Sequence, residues 1–308
     1  MKPILVTSYV NPDLDGVACA VAYAEFLEKV GKSATAGAIG EVHVEARYLL
    51  DRFDITPPER LTDANEFESI ILVDTSDLKD LEGKISSERV IEIIDHRKVD
   101  GAGHFLNAKV QIEFVGAAAT LIAEKFITTQ TDISRNSAIL LFGAIISNTL
   151  NFQASVTTDR DRKAANWLNK IANLPESFSA DLFKAKSDLS GDRLRKSIEG
   201  DFNHFEFGSK KIGIAQLEIL GASILVSTRE AEITHILQEL KSRMNLDFIF
   251  QNTIGLDEGK SIFVAGDEET KRLLENVFQV SFHNMASDYS GLIMRKEIAP
   301  RLREALNG

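Results

Sequence analysis

The sequence predicts an α/β fold in two parts: a larger N-terminal domain on a mostly parallel sheet, then a smaller mixed α/β domain. Three observations lead there. Apolar strand-like runs alternate with Ala-rich helical patterns through the first half. Three of those runs end in acidic clusters, as strands do when they deliver side chains to the crevice at the carboxyl edge of an open sheet. Beyond a polar stretch at residues 185–195 the pattern changes to hairpin-like pairs of runs.

Taken in order, Ile4-Leu5-Val6 is the first strand and leads into Asn11-Pro12-Asp13-Leu14-Asp15. Residues 16–30 carry Ala and apolar side chains at helical spacing, and Gly31 stops them. Residues 42–53 read as a second helix, closed by Pro57-Pro58. The run Ile70-Ile71-Leu72-Val73 is a strand ending on Asp74, and residues 90–94 are a strand ending on Asp95-His96-Arg97. A strand over 111–115 follows, then Gly116 opens a long helix, and a further helix spans about 133–150 with Asn148 near its end. The polar stretch 185–195 is the expected linker, placing the domains at 1–188 and 195–308. After it come a hairpin over 205–215, a helix over 230–244, strands at 246–251 and 261–265, and a short helix after Pro300.

Composition narrows the classes. With 44% hydrophobic and 26% charged residues the chain has the make-up of a folded soluble protein. Its 35 basic against 46 acidic residues leave a formal net charge of −11, which argues against a general nucleic-acid surface or an anionic membrane surface. A small phosphate substrate stays compatible, because a local metal or basic pocket overrides the global sign. Cys19 is the only cysteine, so neither a disulfide framework nor a zinc–thiolate site is available. No run approaches the roughly 18 apolar residues of a membrane span and no signal pattern opens the chain, so the expected location is the cytoplasm.

The acidic clusters carry the chemistry. Asp13 and Asp15 are two apart in a loop, so both carboxylates can enter one cleft, although Asn-Pro-Asp is also ordinary turn and cap chemistry. Asp74 at a strand end is the weaker signal alone. Adjacent Asp95 and His96 after an apolar strand are costly unless paired or metal-bound. Carboxylate and imidazole donors suit Mn²⁺ or Mg²⁺, and a shared pair of ions suits phosphoryl chemistry. His43, His104, His204, His235 and His283 show no ligand spacing. The small residues of Gly116 to Thr120 could present backbone N–H groups to a phosphate or simply pack closely against the sheet. Arg295-Lys296 alone is a pair of solvated cations.

In this order the motifs resemble the DHH superfamily of phosphoesterases, in particular family II, the manganese-dependent inorganic pyrophosphatases. NPDLDG is similar to the first motif and LVDTS to the second; IIDHRKV stands where the family has Asp-His-His. IISNTLNF followed by TTDRDRKAA resembles the fourth motif and the helix after it, and GEVHVEARYLLDRF and FVGAAAT match intervening segments. KKIGIAQLE and MRKEIAPRLREAL are similar to the DHHA2 substrate-binding domain. The resemblance implies a DHH domain and a DHHA2-like domain with the active site in the cleft between them. It implies Asp13 and Asp74 on one ion, Asp15, Asp74 and His96 on the other, Asp74 bridging, and Asn148 as a further oxygen donor. It also implies Arg97, Arg295 and Lys296 as substrate cations, Asp74, Asp15 and Arg97 as the catalytic set, and two Mn²⁺ (or Mg²⁺ or Co²⁺) ions per site. Relatives of this architecture are often homodimers paired through the N-terminal sheet.

Four positions depart from the family pattern. Tyr9 replaces the first-motif His, Arg97 the second His of Asp-His-His, Asn148 the fourth-motif Asp, and Asn203 the Lys expected early in the second domain. The exopolyphosphatase and Prune branch shares Asp-Leu-Asp, and Prune-type proteins share Asp-His-Arg. The leading expectation is a phosphohydrolase cleaving pyrophosphate or short polyphosphate with a metal-activated water. Two readings stay open beside it: a phosphodiesterase on nucleotides or short oligonucleotides, and a catalytically degenerate protein that binds a phosphate ligand.

Overall fold

The computed structural model describes residues 3–81, 83–96 and 103–307. The chain divides into two units, Met1–Ala185 and Lys186–Gly308. In the first unit six strands form one sheet: β1 (Ile4–Thr7), β2 (Ala34–Ile39), β3 (Glu59–Leu61), β4 (Ile70–Val73), β5 (Val90–Asp95) and β6 (Lys109–Ile112). Their order is β3-β2-β1-β4-β5-β6, and every neighbouring pair is parallel. A parallel sheet is covered on both faces, which is why β4 is apolar without alternation and buried at all four residues. Leu5, Ile70, Leu72 and Ile93 pack into the core on one face.

The topology decides where a site can form. From β1 the chain passes through α1 (Leu14–Lys29) to β2 on one side, whereas β4 lies on the other side of β1. The order therefore reverses between β1 and β4, and ligands of open α/β sheets bind beside such a reversal at the carboxyl ends of the strands. The loops after β1, β4 and β5 all leave from that edge.

Several boundaries differ from the sequence expectation, each for a physical reason. The helix expected at 42–53 is α2 (Val44–Arg52), with His43 as its N-cap. The strand expected at 111–115 is β6, which ends at Ile112; the Val115 carbonyl is taken by the His96 side chain instead. The next helix, α3 (Ala118–Thr129), begins past Gly116, whose N–H donates to the Asp161 carboxylate at 3.0 and 2.9 Å. The helix after it, α4 (Arg135–Asn148), is capped by the Ser134 side chain. Strands β2 (ATAGAI) and β3, unmarked in the sequence, lack the β-branched richness that signals a strand and are fixed by their pairing. Helices α5 (Asp159–Ala172) and α6 (Phe178–Lys186) complete the unit.

The second unit carries α7 (Arg193–Gly200), β7 (Phe202–Phe207), β8 (Lys210–Ile219), α8 (Ala222–Met244), β9 (Phe248–Gly255), β10 (Lys260–Ala265), α9 (Glu268–Phe278), β11 (Ala286–Tyr289) and α10 (Arg295–Asn307). The sheet order is β11-β10-β9-β8-β7, with β8 and β9 parallel and the other pairs antiparallel. One face packs α7 and α8 residues such as Leu194 and Leu237; the other packs Leu274, Ile298 and Leu302 of α9 and α10. The polar stretch at 185–195 is no bare linker. Leu189 and Leu194 are buried in the core, and the Arg229 guanidinium donates to the Leu189 carbonyl at 2.6 Å. The helix expected from 230 starts two turns earlier and bends at Arg229. The last helix starts before Pro300 rather than after it, because buried Ile298 and Leu302 anchor it on both sides of the missing N–H.

Candidate metal centre

The first loop sets two carboxylates to different tasks. Asp13 is the N-cap of α1: its Oδ1 accepts from the N–H groups of Asp15 at 2.9 Å and Gly16 at 3.0 Å. Asp15, one residue into the helix, is fully buried at the N-terminus of α3. Its Oδ2 accepts from Ala118 N–H at 2.8 Å and its Oδ1 from Ala119 N–H at 2.8 Å. The small residues opening α3 thus present their donors to a carboxylate of the chain itself, and not to a phosphate. The Cys19 thiol adds a contact to Oδ1 at 3.4 Å, and the Asn148 amide nitrogen donates to Oδ2 at 2.7 Å.

Asp74 and His96 arrive from the next two strand ends. Asp74 has φ 55°, a left-handed conformation that Asp tolerates better than most residues and that turns the chain sharply out of β4. Its N–H stays on the ladder, donating to Ile94 O at 2.8 Å. The His96 Nδ1 lies 3.0 Å from Val115 O. A carbonyl only accepts, so Nδ1 carries the proton and Nε2 turns inward, 3.3 Å from Asp74 Oδ1 and 3.9 Å from Asp15 Oδ2. Asp95 is buried and structural in its bonding: it accepts from His96 N–H and from the Ser76 hydroxyl, both at 2.7 Å.

Asp15, Asp74 and His96 each offer a ligand atom, and these lie within 4.8 Å of one another. The electrostatics are those of a place that wants a cation. Burial first, then the Asp74 charge, pushes the Asp15 carboxyl up to about 8. Burial and the charges of Asp74 and Glu45 push Asp13 up to about 6. Burial alone would lower the His96 imidazole, but its hydrogen bond to Asp74 and the charges of Asp74, Asp15 and Asp95 raise it. The donor set is two carboxylate oxygens and one imidazole nitrogen whose other nitrogen is anchored, which fits a Mn²⁺- or Mg²⁺-class ion.

The other expected site residues fall differently. Asp13 is outside the cluster of three, and its Oδ1 serves the cap. Asn148 reaches the centre, its amide nitrogen donating to Asp15 Oδ2. The Tyr9 hydroxyl accepts from Asp13 N–H at 3.3 Å, so this residue supports the loop. Arg97 lies outside the described residues. Arg295 and Lys296 open α10 in the second unit; Arg295 pairs with Asp201 Oδ1 at 2.6 Å and Lys296 is exposed. Asn203 sits exposed on β7. Two features escaped the sequence reading. The His43 Nε2 is buried with no hydrogen-bond partner among the described residues, and nothing in its spacing marked it. Asp161 accepts from Gly116, Thr120 and Thr158, a hub inside a segment marked in the sequence only as the helix after the fourth motif.

Comparison with known proteins gives the family and the fold. Residues 3–145 match the DHH family, N-terminal domain, and residues 180–305 match the DHHA2 domain. The manganese-dependent inorganic pyrophosphatase of Bacillus subtilis is 31% identical over 99% of both chains. An Exiguobacterium protein assigned that name provisionally is 32% identical, again over 99% of both. The crystal structure of a Methanococcus jannaschii protein, assigned provisionally to the family II inorganic pyrophosphatases, superposes with a TM-score of 0.83. It is 30% identical and covers 99% of this chain and 100% of its own. Among the described residues no helix is long and apolar enough to cross a membrane.

Proposed function

Since the chain belongs to the family of manganese-dependent inorganic pyrophosphatases, with its DHH and DHHA2 domains, we propose that it hydrolyses the phosphoanhydride bond of pyrophosphate or short polyphosphate. The observation that carries this reading is the convergence of Asp15, Asp74 and His96 on one point at the carboxyl edge of the parallel sheet. Bound there, a divalent ion (Mn²⁺ first, Mg²⁺ or Co²⁺ next) would lower the pKa of a water and neutralise charge on the phosphate oxygens.

The residues divide the remaining work. Asp74, with its left-handed turn, faces both Asp15 and His96 and is suited to share its carboxylate between two ions, the second held with Asp13. His96 offers Nε2 because Val115 fixes its tautomer. Asn148 orients Asp15 by donating to it. Arg97, Arg295 and Lys296 are the cations assigned to the phosphate groups. The same proposal includes a homodimer and a cytoplasmic location, the latter suited to a buried Cys19 that forms no disulfide.

The test is phosphate release with Mn²⁺ from pyrophosphate, tripolyphosphate, long-chain polyphosphate and a generic phosphodiester, with Asp74→Ala alongside. Release from the anhydrides that vanishes in Asp74→Ala is the expected result, and preference for the diester would favour the phosphodiesterase reading. The contacts of Tyr9 and Asn148 motivate the non-catalytic reading, a phosphate-ligand binder. It gains support if the wild type is silent on all four substrates while Tyr9→His with Asn148→Asp creates strong pyrophosphatase activity.

A further inference from the structure

The start of α10 is gripped by polar side chains from three adjacent strands, in a place where apolar residues would pack at less cost. Gln216 on β8, Asn252 on β9 and Ser261 on β10 are 5%, 0% and 0% exposed. By strand alternation they share the face that packs Ile214, Phe250 and Phe263, and Gln216 stands directly opposite Asn252 in the parallel register. Each holds the backbone at 293–295. Arg295 N–H donates to Gln216 Oε1 at 2.6 Å, Asn252 Nδ2 donates to Ile293 O at 2.7 Å, and Ile293 N–H donates to Ser261 Oγ at 3.0 Å. The Gln216 amide is itself oriented, its Nε2 donating to Glu218 Oε1 at 2.8 Å.

A second grip acts on the side chain. The Arg295 guanidinium donates to the Asp201 carboxylate at 2.6 Å and to the Asp201 carbonyl at 2.8 Å, and stays 18% exposed. The next residue, Lys296, is exposed. Stability alone is a poor account of this arrangement. The Asn252 Oδ1 is buried with no hydrogen-bond partner among the described residues, and a half-satisfied buried amide is worse for a core than an apolar side chain.

We propose that Gln216, Asn252 and Ser261 are positioning residues for substrate. By fixing the backbone at 293–295 they hold the Arg295–Lys296 pair preorganised for an inorganic diphosphate, Arg295 as anchor and Lys296 as the exposed cation that closes on a phosphate oxygen. This rests on the pyrophosphatase reading above. A segment already ordered loses no conformational freedom when the anion arrives, so the benefit falls on binding.

The experiment compares wild type, Ser261→Ala, Asn252→Asp and Ser261→Thr. It measures KM and kcat for pyrophosphate with Mn²⁺, the Kd of imidodiphosphate by calorimetry, and Mn²⁺ affinity and Tm. Ser261→Ala and Asn252→Asp should raise KM and the imidodiphosphate Kd by about tenfold, the loss of one or two buried hydrogen bonds. Mn²⁺ affinity should hold, kcat should move far less than KM, and Ser261→Thr, which keeps the hydroxyl, should restore binding. Unchanged KM and Kd, or losses that track Tm and Mn²⁺ binding, would overturn positioning while leaving the hydrolase intact. A wild type that binds imidodiphosphate without hydrolysing pyrophosphate sinks the activity alone, and the Kd series still decides the positioning. A wild type that neither binds nor hydrolyses sinks both.

Discussion

Asp15 has no exposed surface and faces Asp74 and Asp13, so burial first and then those charges carry its carboxyl from an ordinary 3.8 up to about 8. Asp13 moves in the same direction, to about 6. A carboxyl whose pKa rises on folding binds its proton more tightly in the native state. Its contribution to stability is therefore full below the unfolded value and lost as pH rises through the folded one. The chelated protein should lose stability as pH climbs from about 4 to about 8. A divalent ion competes with those protons, so Mn²⁺ affinity should rise by roughly ten- to hundredfold between about pH 6 and pH 8. The raised His96 pushes the same way, since its Nε2 must be free of a proton to bind. Calorimetric Mn²⁺ titrations at the two pH values, with melting curves in chelator, check both trends. A flat affinity would mean that the ion does not bind through these groups.

At the scale of elements, the metal centre depends on where α3 begins, and Asp161 of α5 sets that. Its carboxylate is fully buried and accepts from Gly116 N–H at 2.9 Å, the Thr120 hydroxyl at 2.6 Å, and the Thr158 N–H and hydroxyl, both at 2.7 Å. One side chain thus caps its own helix and ties the N-terminus of α3, whose next N–H groups hold Asp15. Asp161→Ala would strand the buried Gly116 N–H and the part-buried Thr158 N–H, costing about 2–4 kcal/mol, and should loosen Mn²⁺ binding by displacing Ala118 and Ala119. Asp161→Asn keeps one acceptor and should lose less. Urea unfolding with and without Mn²⁺ measures both, and an unchanged midpoint for Asp161→Ala would defeat the idea. The strand-end clusters were legible together, as three in succession after apolar runs, since any one of them alone also serves as a turn or a helix cap. Asp161 was not legible: TTDRDRKAA marked only the helix after the fourth motif, whereas the structure makes Asp161 part of a capping box and its partner Gly116 lies 45 residues away. Helix α10 escaped for a related reason, since Pro300 argues for a break locally and only the buried Ile298 and Leu302 overrule it.

For the whole molecule, alternation of strands and helices made the parallel sheet readable, but not its order. That order depends on which strand pairs beside β1, a long-range choice with no local signature. The same order leaves β6 at one edge, paired only with β5 among the described residues. Edges of this kind are usually shielded by charge, proline or a bulge. Here Val110 in the strand is 43% exposed and Phe114 just beyond it is 59% exposed, with Leu106 before it at 92%. Lys109 is the charged residue of the strand, too little to repel a second copy carrying the same apolar row. The homodimer proposed above would use this edge, pairing β6 with its equivalent about a twofold axis so that one patch covers itself. Sedimentation should then give about twice the chain mass of 34.0 kDa for the wild type. Val110→Lys with Leu106→Lys should give the single-chain mass, because both positions then carry the same sign and repel whichever of them meet across the axis. Since both residues lie away from the strand ends that carry Asp15, Asp74 and His96, Mn²⁺ affinity should survive in the variant. A wild type that sediments as one chain at tens of micromolar, or a variant that stays double, removes this edge as the interface.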